Sequence, residues 1–433
     1  MRYAQKLAKL IQMETVSGAE DRDLSKFMAF HTLLRSSFPA LFSVCEYEQI
    51  EGAVVLRWPG RGKREPILFM NHFDVVEATG NWEHPPFSGE ICDGALWGRG
   101  TVDTKGGLFC MLQAAQELAE SGFVPEGDIY FESSCTEETT GASALAVSLE
   151  FMKRKLHFAM ILDEGGLILY DPIGGADATF AMIGVGEKGC MEFKLVARSE
   201  GGHAARPGKN TPLVRLGKLM AEADKNRLFP VKISEVTREM FRRMAPYMSG
   251  PAKLMLRHPT VFDGLLRIIL PALSATSASL VRTTLAFTMA HGSEGRNVLP
   301  SEAWVVGNMR FSHHQGKKNS MQAVEKLARK YRASVEILDN GVESPLCSYD
   351  TDAFRLIERG VSRFFPDVVT APYVTTTASD ARYFGGLTEN CLRFVPFTVS
   401  DQQLDSIHGL NENVSLSALP KAVDFYRFIM QEA

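Results

Sequence analysis

Short apolar runs alternate with helix-period segments along the first part of the chain. Val54, Val55, Leu56 and Trp58 form one strand-like run, and Ile67, Leu68, Phe69 and Met70 form another that leads directly into Asn71 and His72. Residues 107–120 repeat apolar positions at helical spacing, and 128–133 and 158–162 are again short apolar runs. Strands and helices in alternation predict a three-layer α/β domain around a mixed or largely parallel sheet. The period changes after Gly189. Phe193, Leu195 and Ala197 alternate with Glu192 and Lys194, the pattern of a strand covered on one face. Residues 212–223 and 321–331 read as helices, and 304–311 and 334–338 as strands. Together they predict an α+β unit, an open antiparallel sheet with helices on one face, carrying a helical insertion at about 228–279. The α/β pattern returns after roughly residue 345, so one domain is expected to comprise 1–188 and 344–433, with 189–343 inserted within it.

A chain of 433 residues is too long for one ordinary core, which agrees with two domains. A net charge of −4 gives no reason to expect nucleic acid or an anionic membrane as partner. The most apolar stretch, 261–281, is interrupted by Asp263, Arg267 and Pro271, so no membrane span is expected. Lys6 and Lys9 break any signal-peptide core near the amino terminus. The seven cysteines are scattered and none forms a CxxC pair, which suits a reducing compartment and predicts a cytoplasmic protein.

Five short motifs carry candidate chemistry. His72 and Asp74 are two apart at a strand end, so they share a face, and a carboxylate beside an imidazole can fix its tautomer. Asp103 stands in the glycine-rich run 98–107 just before a helix, where its two oxygens could serve two metals. Glu137 and Glu138 follow the 128–133 strand, and two adjacent acids can split roles, one binding metal and one acting as general base. Asp163 and Glu164 end the apolar strand before Gly165 and Gly166, and His408 precedes Gly409, Asn411 and Glu412 near the carboxyl terminus. Each motif alone is compatible with an ordinary charged turn. As a set they offer imidazole and carboxylate without thiolate, a donor set proper to zinc. Cys135 lies beside the acidic pair, but no Cys-His motif supports a cysteine nucleophile.

In order and context these motifs resemble the dinuclear-zinc aminoacylase and carboxypeptidase family, which includes carboxypeptidase S, aminoacylase-1 and succinyl-diaminopimelate desuccinylase. The likeness runs from Glu14-Thr15-Val16-Ser17 to His408. It implies a catalytic zinc-binding domain with an inserted lid that also dimerises, and two Zn²⁺ per subunit, with Co²⁺ or Mn²⁺ as substitutes. His72 and His408 would each bind one ion, Asp103 would bridge them, and Glu138 and Asp163 would complete the ligand set, with Glu164 as the alternative to Asp163. Glu137 would be the general base and Asp74 would orient His72. A cis bond between Asp103 and Thr104 is also implied. In the lid, His203 within Gly201–Pro207 matches the residue that stabilises the oxyanion, often from a partner subunit, and Asn297 and Arg310 match positions that grip a substrate carboxylate. Where relatives carry a glycine-rich pocket segment, this chain has Thr375, Thr376, Thr377 and Ala378. The activity implied is hydrolysis of an amide next to a free carboxylate, of carboxypeptidase or dipeptidase type. An N-acyl-amino-acid amidohydrolase is the alternative, and a catalytically silent binding homologue a third reading. The expected partners are a small peptide or N-acyl amino acid and a second copy of the chain.

Overall fold

The computed structural model describes residues 1–18, 24–225 and 228–433. Strands in chain order are β1 (Glu46–Ile50), β2 (Ala53–Trp58), β3 (Ile67–His72), β4 (Glu90–Cys92), β5 (Ala95–Trp97), β6 (Ile129–Ser134), β7 (Met160–Asp163), β8 (Ile168–Tyr170), β9 (Thr179–Glu187), β10 (Gly189–Arg198), β11 (Gly202–His203), β12 (Thr284–His291), β13 (Val298–Leu299), β14 (Glu302–Phe311), β15 (Ser334–Asp339), β16 (Val368–Thr375), β17 (Cys391–Arg393), β18 (Thr398–Val399) and β19 (Asn413–Ser415). A ten-stranded sheet runs β1-β2-β6-β3-β7-β17-β9-β8-β18, with β16 pairing β9. It is mixed: β3 is parallel to β6 and β7, whereas β2 is antiparallel to β6. The expected α/β architecture with a mixed sheet is therefore present.

The three central parallel strands are buried along their whole length, which requires cover on both faces. Helix Lys105–Glu120 packs on β3 and against helices Arg2–Ile11 and Ala418–Glu432, while helix Ala142–Lys153 packs on β1, β2 and β6. The residues after position 345 contribute β16 to β18 to the same sheet that β1 to β3 and β6 to β9 begin, and β19 to a separate small sheet with β4 and β5.

The second sheet, ordered β12-β14-β10-β15, is antiparallel throughout. Met191, Phe193, Leu195 and Ala197 of β10 face a core shared with Leu216 and Leu219 of helix Pro212–Asp224 and with Val324 and Leu327 of helix Gly316–Lys330. The alternation leaves Cys190, Glu192 and Lys194 on the other, half-open face. Sequence pattern alone does not reveal β12, whose residues are mostly exposed.

The helical insertion is read from sequence as part of the inserted domain. In the structure its helices do not share that domain's core. Met240, Phe241 and Met244 of helix Glu235–Met244, with Leu256, Leu266 and Leu270, bury against Phe180 and Met182 of β9 and Ala371 of β16. This face of β9 and β16 needs apolar cover, and the insertion supplies it. Among the described residues no helix is long and apolar enough to cross a membrane.

At the crossing between the sheets, Glu187 and Arg393 form a buried ion pair of 3.2 Å, and Arg393 also donates to Ser344 Oγ at 3.0 Å. Both chain crossings are thereby tied to one guanidinium.

Candidate active site

The parallel order β6-β3-β7 brings three strand ends side by side, the position where α/β sheets present ligand-binding side chains. His72 closes β3, Asp163 closes β7, and Glu137 and Glu138 follow the end of β6. Asp103 stands in the loop before helix Lys105–Glu120, and the Asp103–Thr104 bond is cis, as the resemblance implies. His408 arrives from the far end of the chain, on the segment between helix Asp401–Asp405 and β19, with a left-handed φ of 59°.

Asp103 stands between the two imidazoles. Its Oδ1 lies 3.1 Å from His72 Nε2 and its Oδ2 lies 3.1 Å from His408 Nε2. The same His408 nitrogen is 3.1 Å from Glu138 Oε2. Ligand atoms of His72, Asp103 and Glu138 all lie within 4.8 Å of one another. Glu138 also carries a buried carboxylate oxygen, Oε1, with no hydrogen-bond partner among the described residues. A buried, unpartnered anionic oxygen is costly, and a cation here would satisfy it. This donor set fits metal ions on either side of Asp103.

Asp163 is outside that tight cluster. Its Oδ2 accepts the Ala381 N–H at 2.9 Å, and burial raises its carboxyl, opposed by hydrogen bonding from the Glu164 backbone and by Arg393. Glu164 beside it is also raised well above the carboxylate range, by burial and then by the charges of Asp103 and Asp163.

The cluster is held from behind by residues whose roles are local and mechanical. Asp74 is fully buried and accepts from Ser17 Oγ at 2.7 Å, Glu137 N at 3.2 Å and Glu138 N at 3.1 Å. His72 Nδ1 lies 3.0 Å from the Asp74 backbone oxygen and 3.4 Å from its Oδ1, so one residue positions both the imidazole and the acidic pair. Glu412 does the same for the Asp103 loop. Its oxygens accept from Arg99 Nη1 at 2.8 Å, Gly100 N at 3.1 Å, Val102 N at 2.8 Å and Asp103 N at 3.1 Å. Sequence reasoning quotes Glu412 but assigns it no role. Its signal, a lone acid three residues past a glycine, is too weak without the fold.

Electrostatics follow from this packing. Burial alone would raise Asp103, but hydrogen bonds from His408 and His72 outweigh it and hold the carboxyl below its ordinary value. Hydrogen bonds to Asp103 and Glu138 push the His408 imidazole up to about 10. Burial lifts the Glu137 carboxyl well above its usual range, with Asp380 and Glu138 adding to the rise and His72 and Arg382 opposing it.

A cleft of about 820 Å³ opens over this cluster, lined by Glu137, Glu138 and His408 below and by Glu192, Asn308 and Arg310 above. Strand register explains the upper wall. Cys190 pairs with Arg310 and Glu192 with Asn308, so all four project from the half-open face of the second sheet. Arg382 enters the same cleft and lies 3.5 Å from Glu137 Oε1. It too is unassigned from sequence, although it lies four residues past the Thr375–Ala378 stretch that stands where relatives carry a pocket segment.

The other two predicted lid residues are elsewhere. His203 and Asn297 are exposed beside the β11–β13 pair, where Ala204 N donates to Asn297 O at 2.9 Å. This pair follows Arg198 and precedes Glu302, at the far end of β10 and β14 from Cys190 and Arg310. A ten-residue strand separates its ends by roughly 30 Å. His203 and Asn297 therefore do not join Arg310 in the cleft of the same chain.

Known proteins agree with this architecture. Residues 68–432 match peptidase family M20/M25/M40. The chain is 30% identical over 440 residues to the probable carboxypeptidase S-like 2 of Dictyostelium discoideum, covering 99% of this chain and 84% of that one. It is 28% identical to the human N-fatty-acyl-amino acid synthase/hydrolase PM20D1 over 432 residues, 98% of this chain and 86% of that one. In fold it is similar to the M20 family metallo-carboxypeptidase Sso-CP2 from Sulfolobus solfataricus, with a TM-score of 0.74 at 17% identity over 99% of this chain and 98% of that one. Human carnosine dipeptidase 1 follows the same fold, with a TM-score of 0.67 at 15% identity, covering 99% and 95% of the two chains. The chain belongs to peptidase family M20/M25/M40.

Proposed function

We propose that this M20/M25/M40 hydrolase cleaves an amide bond adjacent to a free carboxylate, as a dinuclear-metal carboxypeptidase or dipeptidase. The observation that carries the reading is Asp103, placed with one oxygen toward each of two histidines, one of which, His408, lines the same cleft as Glu137 and Arg310. His72, Asp103, Glu138, Asp163 and His408 would hold two ions, zinc by their donor chemistry. Bound there, such ions supply Lewis acidity and lower the pKa of water toward about 7.

The protein's own groups do the rest. Arg310 binds the substrate carboxylate and so sets which amide lies over Glu137. Glu137 takes a proton from the attacking water as the new C–O bond forms, then returns it to the amine nitrogen as the C–N bond breaks. Asp74 keeps His72 and the backbone of Glu137 and Glu138 in place throughout. His203, exposed and distant in its own chain, would donate to the oxyanion of a second copy's site, with Asn297 beside it, which makes a homodimer the working assembly.

The polar share of the cleft lining, Glu192, Asn308, Asp339, Thr376 and Thr377, supports a peptide, while Leu338, Val342 and Tyr383 leave room for an apolar side chain. The second reading, N-acyl-amino-acid hydrolysis, draws on the likeness to the PM20D1 proteins over nearly the whole chain. A panel of dipeptides and N-acyl amino acids, tested with zinc-loaded and chelated protein, separates them. Release of a free amino acid from dipeptides by the loaded protein alone is the expected result. Exclusive turnover of N-acyl amino acids would select the second reading, and no turnover of either class would remove both.

A further inference from the structure

His84, Glu90 and Cys92 form a second convergence of donor atoms, on the β4–β5 hairpin and the loop before it. His84 Nδ1 lies 3.0 Å from Glu90 Oε2 and 3.9 Å from Cys92 Sγ, and ligand atoms of the three residues are all within 4.8 Å of one another. A tetrahedral zinc with Zn–N and Zn–O near 2.0 Å and Zn–S near 2.3 Å has ligand–ligand edges of roughly 3.3–3.6 Å. The observed edges bracket that range.

The local structure explains the convergence. Glu90 and Cys92 are two apart on β4, so alternation puts them on one face. The His84 ring stacks on Trp97 with centroids 4.3 Å apart, which fixes the direction of its nitrogens. Glu90 and Trp97 are paired in register across the hairpin.

Trp97 provides an independent indication. Among the described residues its buried indole Nε1 has no hydrogen-bond partner, and it lies beside the Cys92 sulfur. A neutral thiol is a weak acceptor, whereas a thiolate held by a cation gives the indole N–H a strong one.

We propose that His84, Glu90 and Cys92 bind one borderline-soft divalent cation of the zinc type, with solvent completing its shell, at a site separate from the catalytic cleft. Binding displaces the Cys92 thiol proton to solvent. The half-exposed positions of His84 and Glu90 leave the site open to exchange with the medium. Occupancy would also clamp the hairpin on which the His408 segment rests. β5 pairs with β19, and Glu83 N donates to Asn411 Oδ1 at 2.9 Å.

Cobalt loading of the full chain tests this directly. No cysteine is among the five cleft ligands, and Cys190, which lines the cleft, is controlled by Cys190→Ser, in which the near-ultraviolet thiolate-to-cobalt charge-transfer band should persist. The band is expected in the wild type and in Cys135→Ser. Cys92→Ser should abolish it and lower the cobalt stoichiometry by one, while turnover with zinc is retained. Glu90→Gln should weaken cobalt binding at this site by at least the roughly 10–100-fold that loss of an outer partner costs. No band in the cobalt-loaded wild type, or a band unchanged in Cys92→Ser, would overturn the proposal.

Discussion

The lower and upper walls of the cleft hold their charged groups in different ways. Below, Asp74 and Glu412 are fully buried and each accepts several donors, so His72, Glu137, Glu138 and Asp103 sit on backbone that is itself hydrogen-bonded. Above, Arg310 is half-buried on an open sheet face, and among the described residues its Nε donates to Asn308 Oδ1 alone, at 3.2 Å. The lower wall is rigid because chemistry needs sub-ångström placement. The upper wall is adjustable because one long side chain has to meet a substrate that varies.

Mutations can break this contrast. Glu137→Gln removes the proton acceptor and little else, so turnover should fall roughly 10²–10⁴-fold with bound metal unchanged. Comparable turnover at equal metal content would remove Glu137 from its role. Glu412→Ala strips a buried guanidinium and backbone amides of their acceptor, and should cost about 3–5 kcal/mol in denaturant unfolding. A loss near zero would show that the Asp103 loop holds itself. Arg310→Ala should lower kcat/KM by roughly 10–100-fold for substrates with a free carboxylate, the equivalent of about 1.5–3 kcal/mol for a charged hydrogen bond. Amidated substrates should be nearly unaffected; an equal loss on both would assign Arg310 to structure.

The smallest effect concerns the crossing between the walls. Burial, followed by Arg310 and Arg282, pushes the Lys188 ammonium down to about 7. The unfolded chain therefore binds more protons than the folded one between about 7 and the ordinary value of 10.5, and stability rises with pH across that window. Lys188→Met should flatten a slope that approaches about 1.4 kcal/mol per pH unit at most. An unchanged slope in a pH series of unfolding curves would show that Lys188 stays charged.

Much of the lower wall is legible in the sequence, since His72 and Asp163 end apolar runs and Glu137 and Glu138 follow one. Strand periodicity also predicts that Arg310 shares a face with Asn308, because alternate residues point the same way. Asp74 is legible as a partner of His72, but its grip on the Glu137 and Glu138 amides is not. Arg382 and Glu412 escape notice for the same reason: their partners are hundreds of positions away or contributed by backbone N–H groups that carry no sequence signature. The resemblance makes His203 an active-site residue, often supplied by a partner subunit, and ladder length puts it at the opposite end of the lid from Arg310 in its own chain.

What the sequence by itself determined is local: which segments bury both faces, which bury one, and which acids and histidines stand at their ends. Tertiary structure alone decided that His408 meets Asp103 and Glu138, that the helices of the insertion cover β9 and β16, and that the walls face each other across one cleft. The physical reason is that side-chain period fixes orientation within an element, whereas the order β6-β3-β7-β17 depends on long-range pairing and burial, which no single window of residues contains.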